Sequence, residues 1–230
     1  KCTSIEFLNS HVILQLENSN QLEAALIVGA DGINSWVRNQ TDIRASKKSY
    51  QQIGVVANFE TELSHRHIAR QWFRRDGILA FLPLPEKRVS IVWSTSEQHA
   101  HQLCHLTPEE LCHQVQEASF NQLGKMKLST PPVGFPLNSL HVEPLVKPRL
   151  VLIGDAAHGI HPLAGQGVNL GLRDTRELAR VLNSQAAQSD CGDYMMLRRY
   201  ETARKEDIVA LEWVTDGLQK LFNNPNPTIA

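Results

Sequence analysis

The sequence predicts a mixed α/β chain, α+β overall, in which strand–turn–helix units flank an inserted, mainly antiparallel β-sheet. Three observations carry that prediction. Short apolar runs at 24–28 (A-A-L-I-V) and 150–153 (L-V-L-I) suit buried strands, are too short for helices, and each runs directly into a glycine-and-acid turn. Between them, Gly54–Phe59, Ile68–Phe73, Ile78–Leu82 and Val89–Thr95 are β-rich runs separated by polar turns, R-R-D-G at 74–77 and P-E-K-R at 85–88, the spacing of an antiparallel sheet. Beyond Asp193 a helical period sets in to about Phe222, with Ile208, Leu211, Val214 or Thr215, Leu218 and Phe222 on one side.

Taken in order, the first 28 residues predict three short strands: one around Ile5 and Phe7, one alternating at Val12, Leu14 and Leu16, and the run 24–28, with N-S-N-Q at 18–21 as a turn. The last run ends in G-A-D-G-I-N-S-W-V-R (29–38), where Asn34 or Ser35 can cap a short helix. Residues 97–123 are helical in character, with T-P-E-E at 107–110 supplying an N-cap, a proline at the first helical position and acids in the first turn. Pro131, Pro132 and Pro136 break 125–140 into extended pieces. Then comes G-D-A-A-H-G-I-H-P-L-A-G-Q-G-V-N-L-G-L-R-D (154–174), which leads into a helix over Val168–Leu182. The expected division is 1–45, 46–145, 146–185 and 186–230.

Composition narrows the function. With 42% hydrophobic and 20% charged residues the chain can bury a core, and a net charge of −1 leaves no electrostatic footprint for nucleic acid. No run approaches a membrane span, and no secretory signal pattern opens the chain. The four cysteines contain no C-x-x-C pair, which reads as free thiols in a reducing, cytoplasmic setting. The chain starts at Lys1 and stops at N-P-N-P-T-I-A, so it reads as a piece of something longer.

The stretch 149–174 concentrates the chemistry. A helix N-terminus offers unpaired N–H donors and a partial positive charge. Glycines at 165 and 167 would let a flat ring press against the main chain, while Asp155 could accept hydrogen bonds from sugar-like hydroxyls. The residues alone leave a second reading open, a tight strand-to-helix turn with packing glycines.

The wording of these segments decides between them. G-D-A-A-H-x-x-x-P-x-x-G-x-G-x-N-x-G-x-x-D resembles the second FAD motif of flavin-dependent aromatic monooxygenases of the p-hydroxybenzoate hydroxylase fold, and G-A-D-G-x-x-S-x-V-R resembles their middle motif. H-P-L-A-G-Q-G-V-N-L-G (161–171), G-I-L-A-F-L-P-L (77–84), S-I-V-W-S (90–94) and R-R-Y-E-x-x-R-K (198–205) are similar to the ubiquinone-biosynthesis hydroxylases among them. The resemblance implies part of a FAD-binding, Rossmann-like domain carrying the β-rich substrate domain as an insertion, with a long C-terminal helix. It implies that NAD(P)H reduces FAD, that O₂ is captured at the flavin, and that one hydroxyl passes to a phenolic ring.

Carried over by residue, the resemblance implies that Gly154 and Asp155 hold the ribityl or pyrophosphate part of FAD. Pro162, Gly165, Gln166, Gly167, Val168 and Asn169 would line the reactive ring, with Asp31, Gly32 and Arg38 near the flavin and the path of NAD(P)H. Phe81, Leu82 and Pro83 would face the substrate, and His161 with Pro162 would be the chemical neighbours of the ring. His158 reads equally as structural. A prenylated phenol is greasy, so association with a membrane's inner face or with a ubiquinone-biosynthesis complex is expected. The family also begins with a strand–G-x-G-x-x-G–helix unit, which this sequence lacks. FAD is therefore expected to bind the chain weakly without that N-terminal part. A reductase, a halogenase or an interaction module are the alternatives. No metal is expected: His101 and His105 lie four apart on a helix, but no further ligand has a suitable spacing. The arginines at 66, 70, 74 and 75 read as charged strand edges, and Trp72 and Trp93 as core.

Overall fold

In a computed structural model, residues 1–161, 165–184 and 190–222 are described, and they divide into two compact units. The first comprises Lys1–Lys48 and Asn138–Gln219, and the second centres on Ser49–Leu137.

The first unit opens with β1 (Cys2–Phe7), β2 (Val12–Leu16) and β3 (Gln21–Ala24), an antiparallel meander. The run 24–28 is not the single buried strand that its apolar character suggests. It breaks at Ala25 and Leu26: Ala24 ends β3, and β4 (Ile27–Gly29) joins a different sheet, pairing in parallel with β12 (Leu150–Leu152). The break lets one apolar stretch serve two sheets; within β4, Val28 is 41% exposed. Antiparallel β11 (Val146–Lys147) completes the three-stranded sheet. Gly29 lets the strands pack closely: a Cβ would come within 2.6 Å of Leu152 Cδ2, so that side chain would have to shift.

Helix α1 (Trp36–Asn39) follows β4, capped by Ser35. After β12 the chain makes one 3₁₀ turn, Gly154–Ala156, then a two-residue strand β13 (His158–Gly159) against β10 (Val133–Glu143). Helix α4 (Gly167–Asn183) buries Leu170, Asp174, Leu178 and Val181 on one face. The last helix, α5 (Tyr194–Phe222), starts where Asp193 accepts the N–H of Met196. Along it Met196, Leu197, Tyr200, Ile208 and Thr215 are buried, whereas Val214 is 54% exposed, so Thr215 is the residue that carries the buried side.

The second unit is an antiparallel sheet ordered β10-β5-β8-β7-β6, built from β5 (Arg44–Thr61), β6 (Arg70–Arg74), β7 (Gly77–Leu84) and β8 (Arg88–Ser96), with β9 (Met126–Leu128) also on β5. Its hairpin turns fall where the polar tetrapeptides lie. The chain enters this unit along β5 and leaves along β10, which is why β5 runs to 18 residues. The helical region is two helices, α2 (Glu97–His105) and α3 (Pro108–Ala118). Pro108 cannot continue a helix from the residues before it, and Thr107 caps the new one in a reciprocal box with Glu110. Both helices pack on one face of the sheet, burying Leu103, Leu111 and Val115 against Val55, Phe59, Leu79, Phe81, Ile91 and Trp93. Strand alternation turns Val56, Asn58, Ala80, Leu82, Ser90 and Val92 to the opposite face, where register sets Val56 and Ala80 either side of Val92.

Candidate functional site

The two quoted motifs of the first unit meet in space. In the middle motif, Asp31 accepts the Ser35 hydroxyl at 2.5 Å and the Val37 amide at 3.0 Å, and Ser35 in turn accepts the Arg38 amide. Burial pushes the Asp31 carboxyl up, but these hydrogen bonds outweigh it and hold the group below its ordinary value. Both carboxylate oxygens are thus spent on starting α1. Gly32 takes a φ of +87°, open to glycine at little cost. Arg38, 6% exposed, donates to the carbonyls of Ile33 and Ala156, each at 2.8 Å, and its buried Nε has no partner among the described residues. Asp31 and Arg38, the residues expected near the flavin, thus also tie one motif to the other.

The turn after β12 is held from several sides. Gly154 adopts a φ of +57°, its carbonyl accepts the Ala157 amide, and Arg38 fixes the Ala156 carbonyl. The Gly154 amide donates to Asp174 at 2.8 Å. Asp155, between these pinned groups, is exposed, and its carboxylate has no protein partner among the described residues.

Asp174 is fully buried and is the residue that sequence reasoning missed. Besides the Gly154 amide it binds His158 Nε2 at 2.6 Å and Arg204 Nε at 2.8 Å. Burial pushes the Asp174 carboxyl up; the hydrogen bonds from His158, Arg204 and Gly154 outweigh burial and keep it below the usual carboxylate range. His158, 1% exposed, is therefore part of the frame. The segment R-R-Y-E-x-x-R-K also resolves into contacts: Tyr200 donates to the Leu152 carbonyl at 3.0 Å, Glu201 accepts the Leu145 amide, and Lys205 meets Glu143.

At the start of α4, Gly165 has a φ of +58°, and a Cβ added at Gly167 would meet nothing within 4 Å. Gln166 provides no side-chain cap, since its amide oxygen accepts from Asn169 instead. Among the described residues, the first turn of α4 therefore presents its donors over open space, with Val168 76% exposed beside them. His161 is 1% exposed, and burial drives it down to about 4 against the pull of Asp216, so it is neutral at physiological pH and has no proton to give as an acid. Pro162 lies outside the described residues. In the second unit Phe81 is 1% exposed and stacks edge-on with Trp72 inside the core. Phe81 is thus enclosed on the helix-covered face, whereas Leu82, 44% exposed, lies on the opposite face.

The architecture is that of FAD-dependent monooxygenases. PqsL from Pseudomonas aeruginosa, a probable FAD-dependent monooxygenase, superposes on 96% of this chain at a TM-score of 0.80 with 25% identity, and 64% of that protein is covered. Residues 9–212 match the FAD binding domain family, and the chain belongs to it. Ubiquinone hydroxylase UbiL of Rhodospirillum rubrum is 36% identical over 216 residues, 94% of this chain and 50% of that protein. The human mitochondrial ubiquinone biosynthesis monooxygenase COQ6 is 35% identical over 247 residues, 92% of this chain and 53% of that protein. The chain spans about half the length of the curated relatives it matches.

The residues fit the family's cofactor. Among the described residues, the open space at Gly167, the α4 N-terminus without a side-chain cap and the unpartnered Asp155 suit a flat, electron-rich ring joined to a polyhydroxyl chain.

Proposed function

We propose that this chain supplies the ring-binding half of a FAD-dependent monooxygenase that uses NAD(P)H and O₂ to hydroxylate a prenylated phenol in ubiquinone biosynthesis. The observation that carries the reading is the start of α4 at Gly167, open and uncapped among the described residues, together with the exposed carboxylate of Asp155. The kinship with UbiL and COQ6 supports the choice of substrate.

Bound FAD supplies the redox chemistry and the activation of O₂. The chain's own part is to hold and shield. Main-chain N–H groups at 165–169 stabilise negative charge on the ring edge, and Asp155 accepts hydroxyls. His161 and Pro162 lie at the head of this segment. In this reading the neutral His161 contributes shape and hydrogen bonding rather than acid catalysis. The sheet face carrying Leu82, Ala80, Val92 and Val56 offers the apolar surface for the substrate. No helix of the described residues is long and apolar enough to cross a membrane. A prenylated substrate nevertheless favours peripheral contact with a bilayer or a biosynthetic complex.

The test is NAD(P)H oxidation by the full chain, with and without a demethoxy-ubiquinol-type phenol, followed by product analysis. Substrate-stimulated flavin reduction and a hydroxylated product are expected; the absence of both sinks the proposal. Gly167→Val sharpens it. The side chain has room in the protein, so stability should hold while FAD occupancy falls, and unchanged occupancy would show the ring to be elsewhere.

A further inference from the structure

Asp174 raises a physical question that packing does not answer. Its neighbours on the α4 face are Leu170, Leu178 and Val181, so a leucine would complete that face. Instead a carboxylate is buried with Arg204, which is 4% exposed, and His158. A buried ion pair is weak as a source of stability, since desolvation consumes most of the attraction. What it does supply is direction. One carboxylate accepts from three elements at once: the Gly154 amide of the turn, His158 Nε2 of β13 and Arg204 Nε of α5, at 2.8, 2.6 and 2.8 Å. Arg204 is itself aimed by Asp207, at 2.6 Å from Nη1.

We propose that Asp174 is a positioning residue of the flavin site, setting the turn that displays Asp155 relative to the N-terminus of α4. The inference rests on the flavin reading above. Asp174 belongs to α4, so its hold on Gly154 ties the turn to the same helix whose first residues face the open space. Gly171, one turn earlier, backs onto that turn: a Cβ there would lie 3.3 Å from the Gly154 Cα. Two ligand-facing groups on separate elements are thereby held at a fixed spacing, the condition for one cofactor to contact both without ordering them on arrival.

The experiment is a double-mutant cycle in the full chain, with FAD affinity read by flavin fluorescence, combined with hydrogen exchange at the Gly154 amide in the cofactor-free protein. Asp155→Ala and Asp174→Asn should each weaken FAD by about 10-fold. The double variant should be little weaker than either, because Asp174 acts through the placement of Asp155. Exchange at Gly154 should quicken in Asp174→Asn. If burying Arg204 without its carboxylate prevents folding, Asp174→Asn/Arg204→Met removes both charges and serves in its place. Wild-type affinity in Asp155→Ala sinks the flavin reading of the turn and this role with it. A weakened Asp155→Ala with an unaffected Asp174→Asn, losses that multiply to about 100-fold, or unchanged Gly154 exchange overturns the positioning role alone.

Discussion

His161 shows most directly how placement alters a side chain's chemistry. As a histidine beside a glycine-rich turn it invites an acid–base role, yet burial brings it down to about 4. The consequence for stability has a definite sign. An unfolded histidine titrates near 6.5, so between that pH and about 4 the unfolded chain holds a proton that the folded chain excludes. Stability contributed by neutral His161 is complete above pH 6.5 and is lost as pH falls toward 4, by up to roughly 3 kcal/mol. Thermal melts of the wild type and His161→Gln across this range should diverge in slope, the variant being the flatter. Parallel curves would mean that the imidazole is solvated in the folded protein. Asp174 is the complementary case, an acid kept charged inside the fold by its three donors.

At the scale of elements, α3 was the most legible. Thr107, Pro108 and Glu110 state a helix start in four residues, and all three take the expected parts. Thr107→Ala should cost about 1 kcal/mol, the ordinary value of a lost N-cap, measurable as a shifted denaturant midpoint with an unchanged slope. A change below a few tenths would show that Glu110 and Pro108 suffice. The run 24–28 was misleading for a physical reason: apolar continuity does not say which partner each residue pairs with, and here the partners lie in two sheets. Phe81 is the same lesson on one strand. Alternation guarantees that Phe81 and Leu82 face opposite ways, but only the position of α2 and α3 decides which way is inward. Asp174 and Arg204 did leave a trace, an acid at the centre of Leu170, Leu178 and Val181 and a base between Tyr200 and Ile208. Opposite charges on the buried faces of two helices imply one another.

At the scale of the whole molecule, the two units have separate cores. One includes Val12, Leu150, Leu152, Leu170 and Tyr200, the other Val55, Phe59, Leu79, Ile91 and Leu103. Leu79 is fully buried, and Leu79→Ala should cost about 2–5 kcal/mol. Hydrogen exchange should then quicken in β5, β7 and β8 while β4 and β12 keep wild-type protection. Equal loss of protection in both sets would mean that the units unfold as one.

The sequence by itself determined the elements and their chemistry: the hairpin turns, the capped helices, and the glycine, acid and asparagine pattern of 154–174 that resembles a flavin site. These are local matters, set by backbone sterics, periodicity and short-range hydrogen bonding. Only the tertiary structure decided how the charges were used. It set Asp31 at the start of a helix, enclosed Arg38 and His158 as braces, neutralised His161, and left Asp155 and the start of α4 without a side-chain partner among the described residues. Burial and partners many residues away fix those outcomes. His158 and Arg204 meet at Asp174 only because three separate elements converge there.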